Sequence, residues 1–361
     1  MGSSDNWILI GVYSDDNLIV SKGPIREQFQ RHFDARYQES PDSGEVDTGV
    51  YEFLGMSVTK RRLANNIIEI EISSPKIYQK LRELCGPTPN KFSKVPLVSS
   101  IPLKAEVSDT NPLVDPSEFN CRSVFGICLW ACMAWRFDGH LACAKIASSL
   151  SKGNTLHNVA ACKQLAWYLL ESDVKSLKFS NLHIQPQFIS FCDSSHGNDE
   201  NTMRSWFSYV HIWANAAFGG RSKLGTAVCR STKDSEMMAV IACLASILGY
   251  RFLLNEIGFP QSEPTAVHID ATAALDQTTS MNVPKDQKFM AVRRRWVHEQ
   301  FADKLVQAYH CSTHNMVPDL NTKIHSVQEQ TRMSRNIQGF GDCRPVSNIG
   351  RNDKFSVTKF M

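Results

Sequence analysis

Phe188-Ile189-Ser190-Phe191-Cys192-Asp193 is an apolar run that stops on a carboxylate, and the segments after it decide the fold. The run from Phe188 to Cys192 predicts a strand, Trp206 to Trp213 and Thr226 to Arg230 read as hairpin strands, and Asp234 to Asn255 as a long helix. Thr265 to Ile269 is another apolar strand, a helix follows from Ala271, and a strand near Lys304 to His310 and a short helix from Val317 complete the series. Strands in this order, with helices inserted only after the third, predict a mixed α/β sheet of about 140 residues.

Four acids stand where such a sheet brings its functional edges together. Asp193 ends the first strand, Glu236 lies in the first turn of the long helix, Asp270 ends the fourth strand and Asp319 opens the last helix. Converging carboxylates repel one another and raise their own pKa values unless cations neutralise them. An all-oxygen ligand set suits Mg2+ or Mn2+, and two such ions activate water and stabilise the leaving oxygen of a phosphodiester. Taken singly, each acid equally fits a structural role: Asp270 as a helix N-cap, Asp319 placed by a helix dipole, Glu236 as a solvated helix acid. Spacing alone leaves both readings open.

Working outward, Trp7 to Val12 and Leu18 to Val20 predict a hairpin with Tyr13-Ser14-Asp15-Asp16 at its tip. Ile25, Phe29 and Phe33 recur at helical spacing, and Phe53 to Val58 and Ile67 to Ile72 read as strands. Residues 86–119, with Pro87, Pro89, Pro96, Pro102, Pro112 and Pro116, read as a crossing linker. Helices are expected from Arg122 to Ala134, His140 to Ser149 and His157 to Glu171, and the polar stretch after Gln338 reads as a disordered tail.

The 361 residues are 42% hydrophobic and 21% charged, an ordinary globular composition long enough for two or three domains. A formal charge of +3 neither demands nor excludes a nucleic-acid partner. Eleven cysteines lack the even spacing of a secreted disulfide scaffold, so a reducing compartment, cytoplasm or nucleus, is expected. Cys128, Cys132, His140 and Cys143 offer a zinc-type ligand set, but they lie in apolar helical sequence and read as buried groups. No signal peptide is recognised, no apolar run is expected to span a bilayer, and no membrane partner is expected.

Residues 188–325 resemble the ribonuclease H domain of copia-type long-terminal-repeat retrotransposons. Phe191-Cys192-Asp193-Ser194-Ser195 stands for that family's strand-Asp-x-Asp, Arg204-Ser205 for its Arg-Ser pair and Ser222-Lys223 for its Ser-Lys. Asp234-Ser235-Glu236-Met237-Met238-Ala239 is similar to its Ser-x-Glu-Ala-Glu-Tyr block. His268-Ile269-Asp270-Ala271-Thr272-Ala273-Ala274 resembles Asp-Asn-x-Ala-Ala, and Pro318-Asp319-Leu320-Asn321-Thr322-Lys323 resembles the closing Ala-Asp-x-x-Thr-Lys. Ser195 and Met238 replace second acids, and Lys288-Phe289-Met290-Ala291 replaces Lys-His-Ile-Asp, which marks a divergent copy.

Tyr13-Ser14-Asp15-Asp16 resembles the Tyr-x-Asp-Asp box of reverse transcriptases, and Phe53-Leu54-Gly55 resembles the Phe-Leu-Gly near the palm's primer grip. Cys121 to Gly126, Trp135 to Asp138 and His157 to Leu169 are similar to the same family's connection. The resemblance implies α/β and α+β architecture: a partial reverse-transcriptase palm over 5–85, linker and helical connection over 86–180, a ribonuclease H-like mixed five-stranded sheet over 186–330, and a disordered tail over 338–361. It implies that Asp193, Glu236, Asp270 and Asp319 are catalytic, holding two Mg2+ or Mn2+ ions, with Asp15 and Asp16 a polymerase remnant.

Implied too are hydrolysis of the RNA strand of an RNA–DNA hybrid and a partner in the upstream remainder of a Pol polyprotein, in a cytoplasmic virus-like particle or the nucleus. Fingers and the first palm aspartate would lie ahead of Met1, so primer extension by this chain alone is not expected. Arg204, Lys223, Arg293, Arg294, Arg295 and His314 are nucleic-acid-binding candidates. A helix with Val292, Trp296 and Val297 inward would instead leave the arginines solvated. The rival reading is a catalytically degenerate, transposon-derived nucleic-acid-binding or assembly protein.

Overall fold

The computed structural model describes residues 6–14, 16–37, 49–103, 106–183, 187–271 and 290–341. They form a two-stranded hairpin, a four-stranded sheet, a helical layer and a five-stranded sheet.

In the hairpin, β1 (Trp7–Tyr13) and β2 (Asp16–Lys22) pair antiparallel with Tyr13 opposite Asp16, and Ser14 turns at φ 54°. α1 (Ile25–Asp34) follows with Phe29 and Phe33 stacked along one face. The stretch expected as one strand across Phe53 to Val58 is instead a tight turn between β3 (Gly49–Phe53) and β4 (Met56–Arg62). Leu54 and Gly55 both take positive φ, 53° and 74°, the geometry of a two-residue hairpin loop, and their apolar neighbours hide it in sequence. β5 (Ile68–Ser73) pairs with β4 and also with β6 (Leu177–Ser180), so the helical layer returns to this sheet.

α2 (Pro75–Cys85) was not anticipated, although Ser74 and Pro75 form a favourable helix start and Leu81 and Cys85 repeat on its buried face. α3 (Cys121–Ala134), α4 (His140–Ser149) and α5 (Leu156–Glu171) fall where expected, with Asn120 and Thr155 accepting the capping N–H groups of Ser123 and Asn158. The Pro-rich segment packs on them: the Gln164 amide donates to the Ser93 and Val95 carbonyls, and Val95 and Leu97 are buried. His140 meets the Cys132 carbonyl at 3.0 Å, and its cysteine neighbours join no metal-type cluster among the described residues.

The last sheet runs β11-β10-β7-β8-β9. β7 (Ile189–Ser195), β8 (Trp206–Trp213) and β9 (Ala216–Leu224) are antiparallel neighbours, while β10 (Thr265–Ile269) lies parallel to β7 and β11 (Val306–His310) parallel to β10. This is the expected mixed five-stranded sheet. α6 (Thr232–Glu256) covers one face, joined by α7 (Ala291–Ala302), while the helical layer and α8 (Val327–Ile337) cover the other. Alternate β7 residues therefore enter different cores: Cys192 faces Val240 and Ile247, and Phe191 faces the helical layer. With both faces covered, β7 is buried almost without a break from Ser190 to Ser195 rather than on alternate residues.

Several expectations shift. The third strand is Ala216–Leu224, not Thr226 to Arg230; within it a Cβ at Gly219 would stand 2.5 Å from the Tyr250 hydroxyl. Strand β7 continues past Asp193 to Ser195, so the acid lies inside the strand. In α7, Val292 is 83% exposed and Arg294 only 4%, so the triple arginine is not solvated as a unit. α6 is long and apolar enough by length and composition to cross a membrane, against expectation, but Met237, Val240, Cys243, Leu244 and Ile247 are buried against the sheet as in a core helix.

The expected helix from Ala271 falls on 272–289, outside the described residues. Of the expected tail, 338–341 is packed: the Lys178 N–H donates to the Gln338 carbonyl, and the Lys178 ammonium lies over the Phe340 ring. Gly339 takes φ 82°, and a Cβ there would strike the Lys178 carbonyl. Residues 342–361 lie outside the described residues.

Candidate active site

The centre is built by four segments far apart in sequence. β7 carries Asp193, the second turn of α6 carries Glu236, the end of β10 delivers Asp270, and a 3-10 turn at Val317–Asn321 delivers Asp319. Carboxylate oxygens of Asp193, Glu236 and Asp270 all lie within 4.8 Å of one another. Asp193 and Glu236 are buried and Asp270 is half-buried.

Short-range partners hold each acid. Thr322 Oγ1 donates to Asp193 Oδ2 at 2.7 Å. Ser235 Oγ donates to Ser194 Oγ, which donates to Glu236 Oε1, both at 2.8 Å. Thr313 Oγ1 donates to Asp270 Oδ2 at 3.2 Å. Asp319 stands beside Asp193 but outside the three-acid group: its Oδ1 accepts from Lys323 Nζ at 2.9 Å, and the same ammonium is 4.0 Å from Asp193 Oδ2.

The electrostatics follow from burial. Desolvation, reinforced by Asp319, holds the Asp193 carboxyl well above the usual range. Burial pushes Glu236 up to about 7, opposed by the Ser194 hydrogen bond and assisted by Asp270 and Asp319. Burial also works against the Lys323 charge, but Asp193, Asp319 and Asp270 outweigh it and raise the lysine above its ordinary value. Such carboxylates are unfavourable without a cation. All-oxygen donors at this separation fit a hard divalent ion such as Mg2+ or Mn2+, with Asp193, Glu236 and Asp270 as its ligands.

The remaining candidates are dispersed. Arg293 is exposed and donates to Met238 Sδ at 3.4 Å, two residues from Glu236, whereas Arg295 pairs with Glu299. Arg204 lies in the loop before β8, and Lys223 is exposed on β9. His314 is exposed, its carbonyl accepting from Arg332. Asp15 lies outside the described residues; Asp16 is exposed, accepts the Leu54 N–H at 3.3 Å, and joins no metal-type cluster among the described residues. Thr322 and Lys323 were visible in sequence only as part of the matched closing motif, where nothing indicated that they reach Asp193.

No family model matches the chain. It is 22% identical over 329 residues to the Retrovirus-related Pol polyprotein from transposon TNT 1-94 of Nicotiana tabacum, covering 89% of this chain. The chain is similar to a retrotransposon Pol polyprotein. It spans 24% of that relative's length. Among solved structures, the chain is similar to LC11-RNase H1 in complex with an RNA/DNA hybrid, with 8% identity, a TM-score of 0.30, and coverage of 38% of this chain and 94% of that one. It is similar as well to the N-terminal RNase H domain of a Mycobacterium tuberculosis protein, with 10% identity, a TM-score of 0.27, and coverage of 38% and 91%.

Proposed function

We propose that this Pol-type chain hydrolyses the RNA strand of RNA–DNA hybrids in a divalent-metal-dependent reaction. The observation that carries the reading is the convergence of Asp193, Glu236 and Asp270, the first two buried and the third half-buried, within 4.8 Å of one another on a mixed five-stranded sheet. A bound Mg2+ or Mn2+ would supply charge neutralisation at the scissile phosphate and a more acidic water. Asp193, held by Thr322, and Glu236, held by Ser194, present fixed oxygens, so little reorganisation accompanies ion binding. Asp270, less buried and held by Thr313, lies on the open side of the group.

The exposed Arg293, beside Met238, is the proposed contact to a phosphate of the bound strand. Arg204, Lys223 and His314 are its proposed companions along the hybrid. Discrimination of hybrid from duplex DNA comes from helix shape and 2′-hydroxyl contacts rather than base reading. In a longer Pol-type polyprotein the upstream remainder is the proposed partner.

The test is cleavage of a labelled RNA–DNA hybrid by the full chain with Mg2+, with EDTA, and with Asp193→Asn. Metal-dependent cutting of the RNA strand that disappears in the variant is expected. A folded native chain that makes no such cut overturns the proposal and favours the degenerate, nucleic-acid-binding reading.

A further inference from the structure

The fourth acid is not equivalent to the other three. Asp319 is buried and next to Asp193, yet one of its oxygens is committed to Lys323 Nζ at 2.9 Å. An i,i+4 ion pair on a helix surface contributes little. This one differs: the Asp319 carboxylate is only 9% exposed, and a second buried carboxylate, Asp193, stands 4.0 Å from the same ammonium. The Lys323 side chain keeps 39% of its surface in solvent, so it has somewhere to go. His325 Nε2 meets the Asp319 carbonyl at 2.9 Å, and Thr322 bonds to Asp193, so the turn on either side of the lysine is pinned.

Resting on the metal-site reading above, we propose that Lys323 is a built-in counter-cation occupying the place of a second ion. The protein takes one divalent ion at Asp193, Glu236 and Asp270, and admits a second beside Asp319 only when the lysine ammonium withdraws. Lys323 is thus a positioning residue that sets the order and concentration dependence of metal loading. A fixed positive charge a few ångströms from a divalent ion opposes its binding strongly even in a partly solvated site.

The test is titration of the full chain with Mn2+ alone, followed by calorimetry and by the electron paramagnetic resonance of free Mn2+. The native chain is expected to bind one ion, with a second at least about tenfold weaker. Lys323→Met should tighten the second ion by about tenfold or more, and Lys323→Arg, which keeps the charge, should bind as the native chain does. Circular dichroism reports whether each variant is folded, and Lys323→Gln replaces Lys323→Met where the latter is not. Two ions of equal affinity in the native chain overturn the proposal without any variant. So does a folded Lys323→Met with native affinities, and in both cases the three-acid site stands. Absence of any Mn2+ binding sensitive to Asp193→Asn instead sinks the metal-site reading beneath it.

Discussion

Asp16 and Asp193 both sit on strands of antiparallel pairs, but their surroundings differ. Asp16 is exposed at the mouth of a hairpin that pairs only with itself, and its described partner is one backbone N–H, from Leu54. Asp193 is buried in the middle strand of a five-stranded sheet, bonded to Thr322 and faced by Glu236, Asp270 and Asp319. An exposed carboxylate is already satisfied by water, whereas buried and crowded carboxylates gain from a cation. The largest test of the contrast is activity: Asp193→Asn should reduce hybrid cleavage by about 10^3-fold or more, as expected when a preorganised charge is removed from the reacting centre. Asp16→Asn should leave the cleavage rate unchanged. Equal losses in the two variants, measured on one hybrid, would break the comparison.

The second contrast lies in what supports each region. Arg136 and Asp138 form a fully buried pair, with Tyr168, Gln330 and Ser334 bonded around it, so that α8 is tied to the helical layer beneath the sheet. The Arg136 guanidinium offsets burial and holds the Asp138 carboxyl below the usual range. Asp138→Ala strands the guanidinium and should cost about 3–5 kcal/mol of stability in urea unfolding. The hairpin has no such anchor among the described residues. A loss below about 1 kcal/mol would show that the knot is not what fastens α8.

Proton linkage gives the next effect. Without metal, Glu236 is held at about 7 by burial, against 4.5 ordinarily. Between those values the folded form keeps a proton that the unfolded chain has released, so its contribution to stability falls as pH rises through the window. The loss is on the order of 3 kcal/mol and is complete above the folded value. His140, His211 and His268, which burial lowers to about 4, 3 and 4, slope the opposite way: they destabilise the fold as pH drops below 6.5. The difference between native and Glu236→Gln unfolding curves in EDTA, at pH 5 and 7.5, isolates the carboxyl. The native chain should lose more stability over that interval than the variant; parallel curves would show Glu236 to be solvated, like Asp16.

What could be read from sequence followed local rules, and what could not depended on distant neighbours. Strands β8 and β10 and helix α4 were legible to the residue because apolar periodicity and end signals agree there. β9 was misplaced because its glycines answer to distant neighbours, Gly219 to Tyr250 on α6 and Gly220 to the Tyr209 carbonyl on β8, and the Leu54-Gly55 turn was masked by its apolar flanks. Arg294 is buried because α7 is wedged between α6 and β11, a fact absent from its own sequence. At the site, Asp193, Glu236 and Asp270 could be nominated because each stands at or near the end of an element. Ser194, Thr322 and Lys323 could not, since their work depends on side chains such as Glu236 and Asp193 that only the fold brings within reach.

The smallest effect concerns that supporting layer. Ser194 stands between Ser235 and Glu236, so Ser194→Ala removes the hydroxyl that donates to Glu236 Oε1 while leaving every carboxylate in place. The lost hydrogen bond favours the charged carboxylate, so its absence should raise the Glu236 pKa further. Orientation of the ligand oxygen is lost with it, and divalent-ion affinity should fall about 10-fold, the lower end of what supporting partners contribute at metal sites. Lowering the pH from 8 toward 7 should widen the gap from the native chain, because protons compete better for the unsupported carboxylate. An Mn2+ affinity that is unaltered in Ser194→Ala at both pH values would mean that Glu236 is positioned by α6 alone, and that burial rather than hydrogen bonding separates this centre from the exposed acid of the hairpin.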